Sequence, residues 1–376
     1  MNRKQFIILL VLVAVVGAAG LLVRQRSQSS WQSAGQAIGQ KLLPNLAVND
    51  IAQITIISGT SQLNLAKHDN LWRVRERGNY PASFANISGL LLKFADLKVA
   101  QSQEVGPSQL GRFELLPPGA GANSSTQVEL KDQNGKLIAT VLLGKKHMTK
   151  PGAEGWPDGR YVMVGSEAKS LAVVPDPLEN VQAKPEPWLD KEFLHLEKPR
   201  SIAVQFAETT NSWKLTRASE TNEWQLADAQ AGEKLDLTKV AGVTSPFSSA
   251  SFNDVAVLNA SNTPAGTTLT VETFDGFTYI AKIGGNENGN YPASFTIGAQ
   301  LPTGRVAGTD EKAEDKARLD QEFKARHQQL ADKLAREKKY ESWVYLLPAY
   351  SLDPEIKPRV QLLVEVEKGM PTTPGK

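Results

Sequence analysis

An unbroken uncharged stretch near the start of the chain narrows its fold more than any other feature. Residues 1–30 read MNRKQFIILLVLVAVVGAAGLLVRQRSQSS, and 6–23 is a run of eighteen apolar and small side chains. An α-helix rises about 1.5 Å per residue, so such a run roughly crosses the hydrocarbon core of a bilayer. A helix that is apolar on every face has no place on the surface of a water-soluble domain. A cleaved signal peptide would use the small residues 17–20 as its cleavage region. A retained signal anchor fits better, because the run resumes at Leu21-Leu22-Val23 and is long for the core of a cleaved signal. With no cysteine in the chain there is no lipobox. Arg3 and Lys4 on one side face Arg24 and Arg26 on the other, so the positive-inside rule is nearly tied. The very short N-terminal flank tips it towards an N-terminus inside. The expectation is a single-pass protein of a bacterial inner membrane, with residues 1–26 as transmembrane anchor and the bulk of the chain in the periplasm. Residues 27–44 are polar and small and read as a linker.

Beyond residue 44 the sequence repeats itself at low identity. The first copy opens with alternating Ile51-Ala-Gln-Ile54-Thr-Ile56, then Leu63-Asn-Leu65 and Leu71-Trp72-Arg-Val74. The second offers Ile202-Ala-Val204, Trp213-Lys-Leu215 and Glu223-Trp224-Gln-Leu226. Trp72 and Trp224 stand 152 residues apart as equivalent core anchors. Ile87, Leu90, Leu91, Phe94 and Leu97 then recur at helical spacing, and residues 235–243 predict a shorter counterpart that stops before Pro246. Next come two hairpins, one turning at Asn134-Gly135 and the other at Asp275-Gly276. Strands around Tyr161 and Tyr291 follow, and both copies close alike, on Leu171-Ala-Val-Val-Pro175 and Trp343-Val-Tyr-Leu-Leu-Pro348. One match is out of step. The hexapeptide Asn-Tyr-Pro-Ala-Ser-Phe occurs at 79–84 and again at 290–295, an offset of 211, and reads as coincidence between turn-forming segments rather than a shared ligand loop.

The expected fold class is therefore α+β: two tandem related domains of mainly antiparallel sheet with one principal helix each, over residues 45–197 and 198–367. The second carries an inserted charged helix at 309–341. On it Leu319, Phe323, Leu330 and Leu334 form a narrow apolar stripe with His327 on the same side. That stripe either rests on its own domain or docks a partner protein. Trp156 lies in a Gly- and Pro-rich loop, 151–159, where an aromatic ring folds back or stands ready to touch a ligand or partner. Residues 368–376 carry no apolar pattern and read as a disordered tail.

The stretch Leu71-Trp72-Arg-Val-Arg-Glu-Arg-Gly-Asn-Tyr-Pro-Ala-Ser-Phe84, with Leu90-Leu-Leu92, Leu97-Lys-Val99 and Pro187-Trp188-Leu189-Asp190, resembles the bacterial family known as domain of unknown function 4340. The resemblance runs over about 45–367. It implies an envelope protein with one N-terminal membrane segment, from genes often grouped with an ABC transporter of the gliding-motility auxiliary type. The family has no established catalytic residues to carry over.

The chemistry that composition leaves open is narrow. The absence of cysteine removes thiolate catalysis, disulfides and Cys-based metal sites. With 42 basic and 40 acidic residues the formal charge is +2, which gives nucleic acid no attractive groove. His68, His147, His195 and His327 form no ligand pair at metal-binding spacing. A serine elbow and a phosphate-cradling G-x-x-x-x-G-K-[ST] are both missing. Asp50, Asp96, Asp132, Asp190 and Asp254 would do acid–base work only if the fold brought them to a fixed separation. The reading is of a non-enzymatic accessory or scaffold subunit of an ABC-type transport complex, without cofactor or metal. The alternatives are a periplasmic glycan- or peptide-binding module and an unrecognised hydrolase. The full chain is expected to stay with membranes through an alkaline carbonate wash and to keep its residues before Gly17. N-terminal sequencing that begins beyond residue 20 would identify a cleaved signal instead.

Overall fold

The computed structural model of the 376-residue chain describes residues 38–150, 155–165, 170–306 and 311–365. The apolar run, the linker up to residue 37 and the tail from 368 lie outside the described residues. Among the described residues no helix is long and apolar enough to cross a membrane. The chain divides into two compact units between Asp190 and Lys191. Two mostly antiparallel sheets with few helices make it an α+β protein.

The first unit holds β1 (Gln53–Ser58), β2 (Ser61–His68), β3 (Leu71–Val74), β4 (Tyr80–Pro81), helix α1 (Phe84–Asp96), β5 (Gln101–Glu104), β6 (Thr126–Lys131), β7 (Leu137–Met148), β8 (Pro157–Val164) and β9 (Ser170–Val174). Its sheet runs β4-β3-β2-β1-β6-β7-β8-β9-β5. Alternation sorts the side chains. In β1, Ile54 and Ile56 are buried, and they stand opposite buried Leu65 and Leu63 of β2 and Leu130 and Val128 of β6. In their middle parts the strands β7 to β9 are buried on both faces. Leu142, Met163 and Leu171 join Val105 and Leu115 in one cluster, while Val141, Leu143 and Val162 alternate to the other side. The β6–β7 turn is built by Asp132, whose Oδ1 accepts the N–H groups of Asn134 and Lys136 at 2.8 and 2.9 Å.

The second unit holds β10 (Pro199–Gln205), β11 (Trp213–Thr216), β12 (Gln225–Leu226), β13 (Asp254–Val257), β14 (Thr267–Thr273), β15 (Phe277–Ile283), β16 (Asn290–Ala299), helix α2 (Ala313–Glu337), β17 (Trp343–Pro348) and the short helix α3 (Ala349–Leu352). Its sheet runs β12-β11-β10-β14-β15-β16-β17-β13. Apart from β4, that order follows the chain as the first sheet's does. The β14–β15 hairpin turns at Gly276 (φ 84°), where a Cβ would stand 2.6 Å from the Gln300 carbonyl oxygen.

Two expectations are corrected. The helix expected over 235–243 is a single 3-10 turn, Lys239–Gly242. Asp236 Oδ1 takes the Thr238 N–H and hydroxyl at 3.0 and 2.7 Å, which bends the backbone locally, and the stretch before Pro246 is too short for helix nucleation. The principal helix of this unit is therefore α2, in the connection between β16 and β17. Nor are the two tryptophans equivalent: Trp72 is buried, but Trp224 is half-exposed beneath the Arg217 guanidinium, 4.7 Å from its ring. The buried indole here is Trp213, which donates to the Lys357 carbonyl at 2.7 Å.

The identical hexapeptides take different structures. At 79–84, Asn79 is left-handed (φ 63°), Tyr80-Pro81 forms the edge strand β4 and Ser83 caps α1. At 290–295 all six residues are extended within β16.

Glu355 supplies a pH handle. Its carboxyl is buried; Oε1 accepts the Phe247 N–H at 2.9 Å, and Oε2 has no hydrogen-bond partner among the described residues. Phe247 is itself buried and left-handed (φ 55°), a conformation that costs a non-glycine residue about 1 kcal/mol or more. Burial pushes the Glu355 carboxyl up to about 8, against the opposing pull of the Phe247 N–H. The folded chain thus holds this proton more tightly than the unfolded one. Its stabilising effect is complete below the ordinary glutamate range and is lost as pH rises from there to about 8. The loss is on the order of 4 kcal/mol. Glu355→Gln should melt like the parent near pH 4 and higher than the parent at pH 8, as followed by calorimetry of the second unit.

Candidate functional site

Helix α1 begins where Ser83 Oγ accepts the Asn86 N–H at 3.3 Å, an N-cap that satisfies one free donor of the first turn. Ile87, Leu90, Leu91 and Phe94 are buried at helical spacing, so one face is committed to the core. The opposite side departs from that pattern. Phe84 is 70% exposed and Leu92 57%, with Ala85, Ser88 and Gly89 between them.

Beside this face runs the segment 175–188, which follows β9. It is stitched to α1 by main-chain and side-chain bonds. Asn86 Nδ2 donates to the Pro187 carbonyl at 2.8 Å, and the Ser83 N–H donates to the Trp188 carbonyl at 2.8 Å. Lys93 and Asp176 form an ion pair at 2.8 Å. The indole of buried Trp188 donates to the Gln182 carbonyl at 3.1 Å. Within the segment, Leu178 is 1% exposed and left-handed (φ 50°). Strain of this kind persists only where the surroundings over-determine it. Here Asp176 Oδ1 accepts the Leu178 N–H at 2.7 Å, and Arg160 Nη1 donates to the Pro177 and Leu178 carbonyls, each at 3.3 Å. Arg160 Nε donates to the Gly144 carbonyl at 2.8 Å. Burial lowers the Arg160 pKa, with Glu114 and Glu179 pulling the other way. Gly144 has no freedom to change: a Cβ there would stand 2.2 Å from the Phe113 carbonyl oxygen.

Between α1 and this strapped segment lies a hollow of about 410 Å³. Leu90, Val181 and Trp188 give it an apolar floor, and the amides of Asn86, Asn180 and Gln182 line it with Lys93. Lys93 is neutralised by Asp176, and the lining residues include no carboxylate, histidine or hydroxyl. Such a surface binds through shape, apolar contact and amide hydrogen bonds.

The residues singled out from sequence are not gathered here. Trp156 is 79% exposed at the entry to β8; its N–H donates to Thr149 Oγ1 at 3.2 Å, with His147 Nδ1 and Asp158 Oδ1 nearby in sequence at 2.6 Å. Residues 151–154 of that loop lie outside the described residues. Leu319, Phe323, Leu330 and Leu334 are half-buried on α2, in the other unit. The expected insertion 309–341 resolves into α2 and a 3-10 segment, Lys338–Ser342, with 309 and 310 outside the described residues. Helix α2 is pinned to its own sheet: Tyr279 Oη donates to Glu337 Oε2 at 2.7 Å, Arg326 pairs with Asp275 at 2.6 Å, and Lys333 Nζ lies 5.2 Å from the Phe277 ring centroid.

Asp50 and Asp132 share a surface hollow with Asp69, but Asp132 is engaged in its turn. Asp96 pairs with Lys41 at 3.1 Å. Among the described residues no three His, Asp or Glu side chains gather as a metal site.

The family model described as Domain of unknown function (DUF4340) matches residues 72–270, more than half of the sequence, and the chain belongs to that family. No curated protein and no solved structure shows significant similarity to it. The match begins in β3 and takes in α1, the strapped segment and the hollow. Arg160→Met is expected to strand three carbonyls and to destabilise the first unit by about 3 kcal/mol in urea. Amide exchange at Leu178 and Val181 should rise with it.

Proposed function

We propose that this family member is a non-enzymatic envelope protein, anchored in the inner membrane by residues 6–23 with both units in the periplasm. It would serve as an accessory or scaffold subunit of an ABC-type transport complex. The observation that carries the reading is the outer side of α1. Two large apolar side chains stand exposed there beside a hollow of amides and apolar floor. Exposed apolar groups next to a shaped hollow suit a protein contact, and their burial would contribute roughly 1.5–3 kcal/mol each. An anchored subunit needs no large interface, because confinement beside a membrane complex raises effective concentration. The shared strand order of the two sheets supports a duplicated origin, with one unit strapped around α1 and the other enlarged by α2.

Purification of the full chain in mild detergent should recover transporter components, with recovery reduced about tenfold by Phe84→Ala combined with Leu92→Ala. A chain recovered alone would count against the scaffold role. An alkaline phosphatase fused to the carboxyl end should be active; activity only of a cytoplasmic reporter would remove the envelope placement.

Trp156 favours a second reading, as a glycan- or peptide-binding module. Its ring is almost fully exposed on a backbone held by reciprocal bonds with Thr149. Retention on purified cell-wall material, lost in Trp156→Ala, would favour that role.

A further inference from the structure

The outer face of the first sheet carries a second hollow, with a different chemistry. Gln53 of β1 stands opposite Ala66 of β2, and Ala66 opposite Arg73 of β3, so one row crosses three neighbouring strands. Alternation turns that row away from the core, where Ile54, Leu65 and Val74 are buried. Strands lie about 4.8 Å apart, so Gln53 and Arg73 rise about 10 Å from each other with only the Ala66 methyl between them. A short side chain between two long ones leaves a hollow, here of about 490 Å³. Lys67, His68, Arg75 and Asn79 complete its lining. Gly78 and Asn79 are both left-handed (φ 60° and 63°), and this turn brings the Asn79 amide back beside the arginines.

The lining holds no carboxylate. Glu76, which lies between Arg75 and Arg77 in sequence, is committed elsewhere: it accepts the Asn64 backbone N–H at 3.0 Å and its side-chain amide at 2.7 Å. Asp69 holds His68 at 2.9 Å, and Glu186 holds Arg77 at 3.0 Å. Among the described residues, the charges of Lys67, Arg73 and Arg75 have no hydrogen-bond or ion-pair partner. Arg73 is half-buried, as are Arg77 and Arg160, but those two are bonded to a carboxylate and to carbonyls. Strand pairing does not itself call for arginine here. The strand in the same place of the second sheet, β12, follows its tryptophan with Gln225, and Ala227 stands where the first unit has Arg75.

We propose that this hollow binds a phosphate-bearing anion, a phosphate monoester or a diphosphate, between the Arg73 and Arg75 guanidiniums. The Gln53 and Asn79 amides supply further donors. The site goes beyond the scaffold role and depends on neither the anchor nor the α1 contact.

The choice of anion follows from geometry and charge. Arg73 and Arg75 stand two residues apart, about 7 Å along the strand, so both forks can close on one group. Each guanidinium offers two parallel N–H donors to an oxyanion. A carboxylate has one charge and two oxygens and would leave one fork empty. A phosphate monoester carries about −1.5 to −2 charges and three free oxygens, which two forks match. Such a group comes from a lipid headgroup or from a soluble phosphorylated molecule.

The test titrates the full chain, in mild detergent, with inorganic pyrophosphate and follows binding by calorimetry. Saturable binding is expected, weakening as salt rises. Arg73→Gln and Arg75→Gln should each weaken it about thirtyfold. Arg73→Lys keeps the charge but loses the fork, and should weaken it about fivefold. Lys136→Gln, at an exposed cation in the β6–β7 turn, should leave it unchanged. Gln53→Glu guards against misfolding as the cause of loss. It places a carboxylate across Ala66 from Arg73, so binding should vanish while the melting temperature holds or rises. Absence of saturable binding, an equal loss in Lys136→Gln, or binding untouched by Gln53→Glu overturns the proposal. Bilayer discs then separate the two sources. Pyrophosphate binding that disappears when phosphatidic acid joins phosphatidylcholine assigns the site to a lipid headgroup; binding that persists assigns it to a soluble phosphate.

Discussion

The first strand of each unit ends up in the middle of its sheet, and the rest of each unit is arranged around that placement. Strand β1 pairs locally with β2, but its other edge is closed by β6, with Ser58 opposite Thr126 and Gln53 opposite Lys131. Strand β10 is placed the same way between β11 and β14. Closing so long a loop costs entropy before any contact offsets it. Burial of Ile54 and Ile56 between Leu63, Leu65, Val128 and Leu130 supplies the offset. The same burial fixes register, since a slip of one residue would turn both isoleucines outward.

The chain between β3 and β6 must then leave the sheet and return to it, and α1 and the edge strand β5 lie in that crossover. Because one face of α1 belongs to the core, whatever binds at its flank must be held by polar bonds. Asn86, Lys93, Asp176 and Trp188 perform that role from the sides, and Arg160 from below. Gly144 and Gly89 matter for opposite reasons. One has no room for a side chain, while at the other an added Cβ would meet no described residue outside its own helix backbone.

Much of this was legible from residue order. The alternating segments around Ile54, Leu63, Trp72, Val128, Val141, Tyr161 and Leu171 all form strands, as do their counterparts in the second unit. Helix α1 was legible because four of its buried residues keep a strict helical spacing. The edge strands β5 and β13 were not, because Gln101-Ser-Gln-Glu104 and Asp254-Val-Ala-Val257 are short, bury one side chain each and become strands only by pairing with β9 and β17. The repeated hexapeptide shows the limit most plainly. Phe84 is exposed and Phe295 buried in identical local sequence, so the sheet around each copy decides the outcome. Of the candidate site, Phe84 and Leu92 could have been noticed as apolar residues out of phase with the core stripe. Leu178 carried no such sign: Asp176 turns the backbone locally, but Arg160, eighteen residues earlier, is what holds the carbonyl there.

The long helix α2 occupies the connection between two strands that are already neighbours. Tyr291 and Leu347 pair across that junction, so the two strands meet directly, while the helix between them returns to bond Tyr279 and Asp275 of the same sheet's hairpin. A long insertion at such a place lengthens the chain without parting the two strands, and its charged side chains become the fasteners that hold it down.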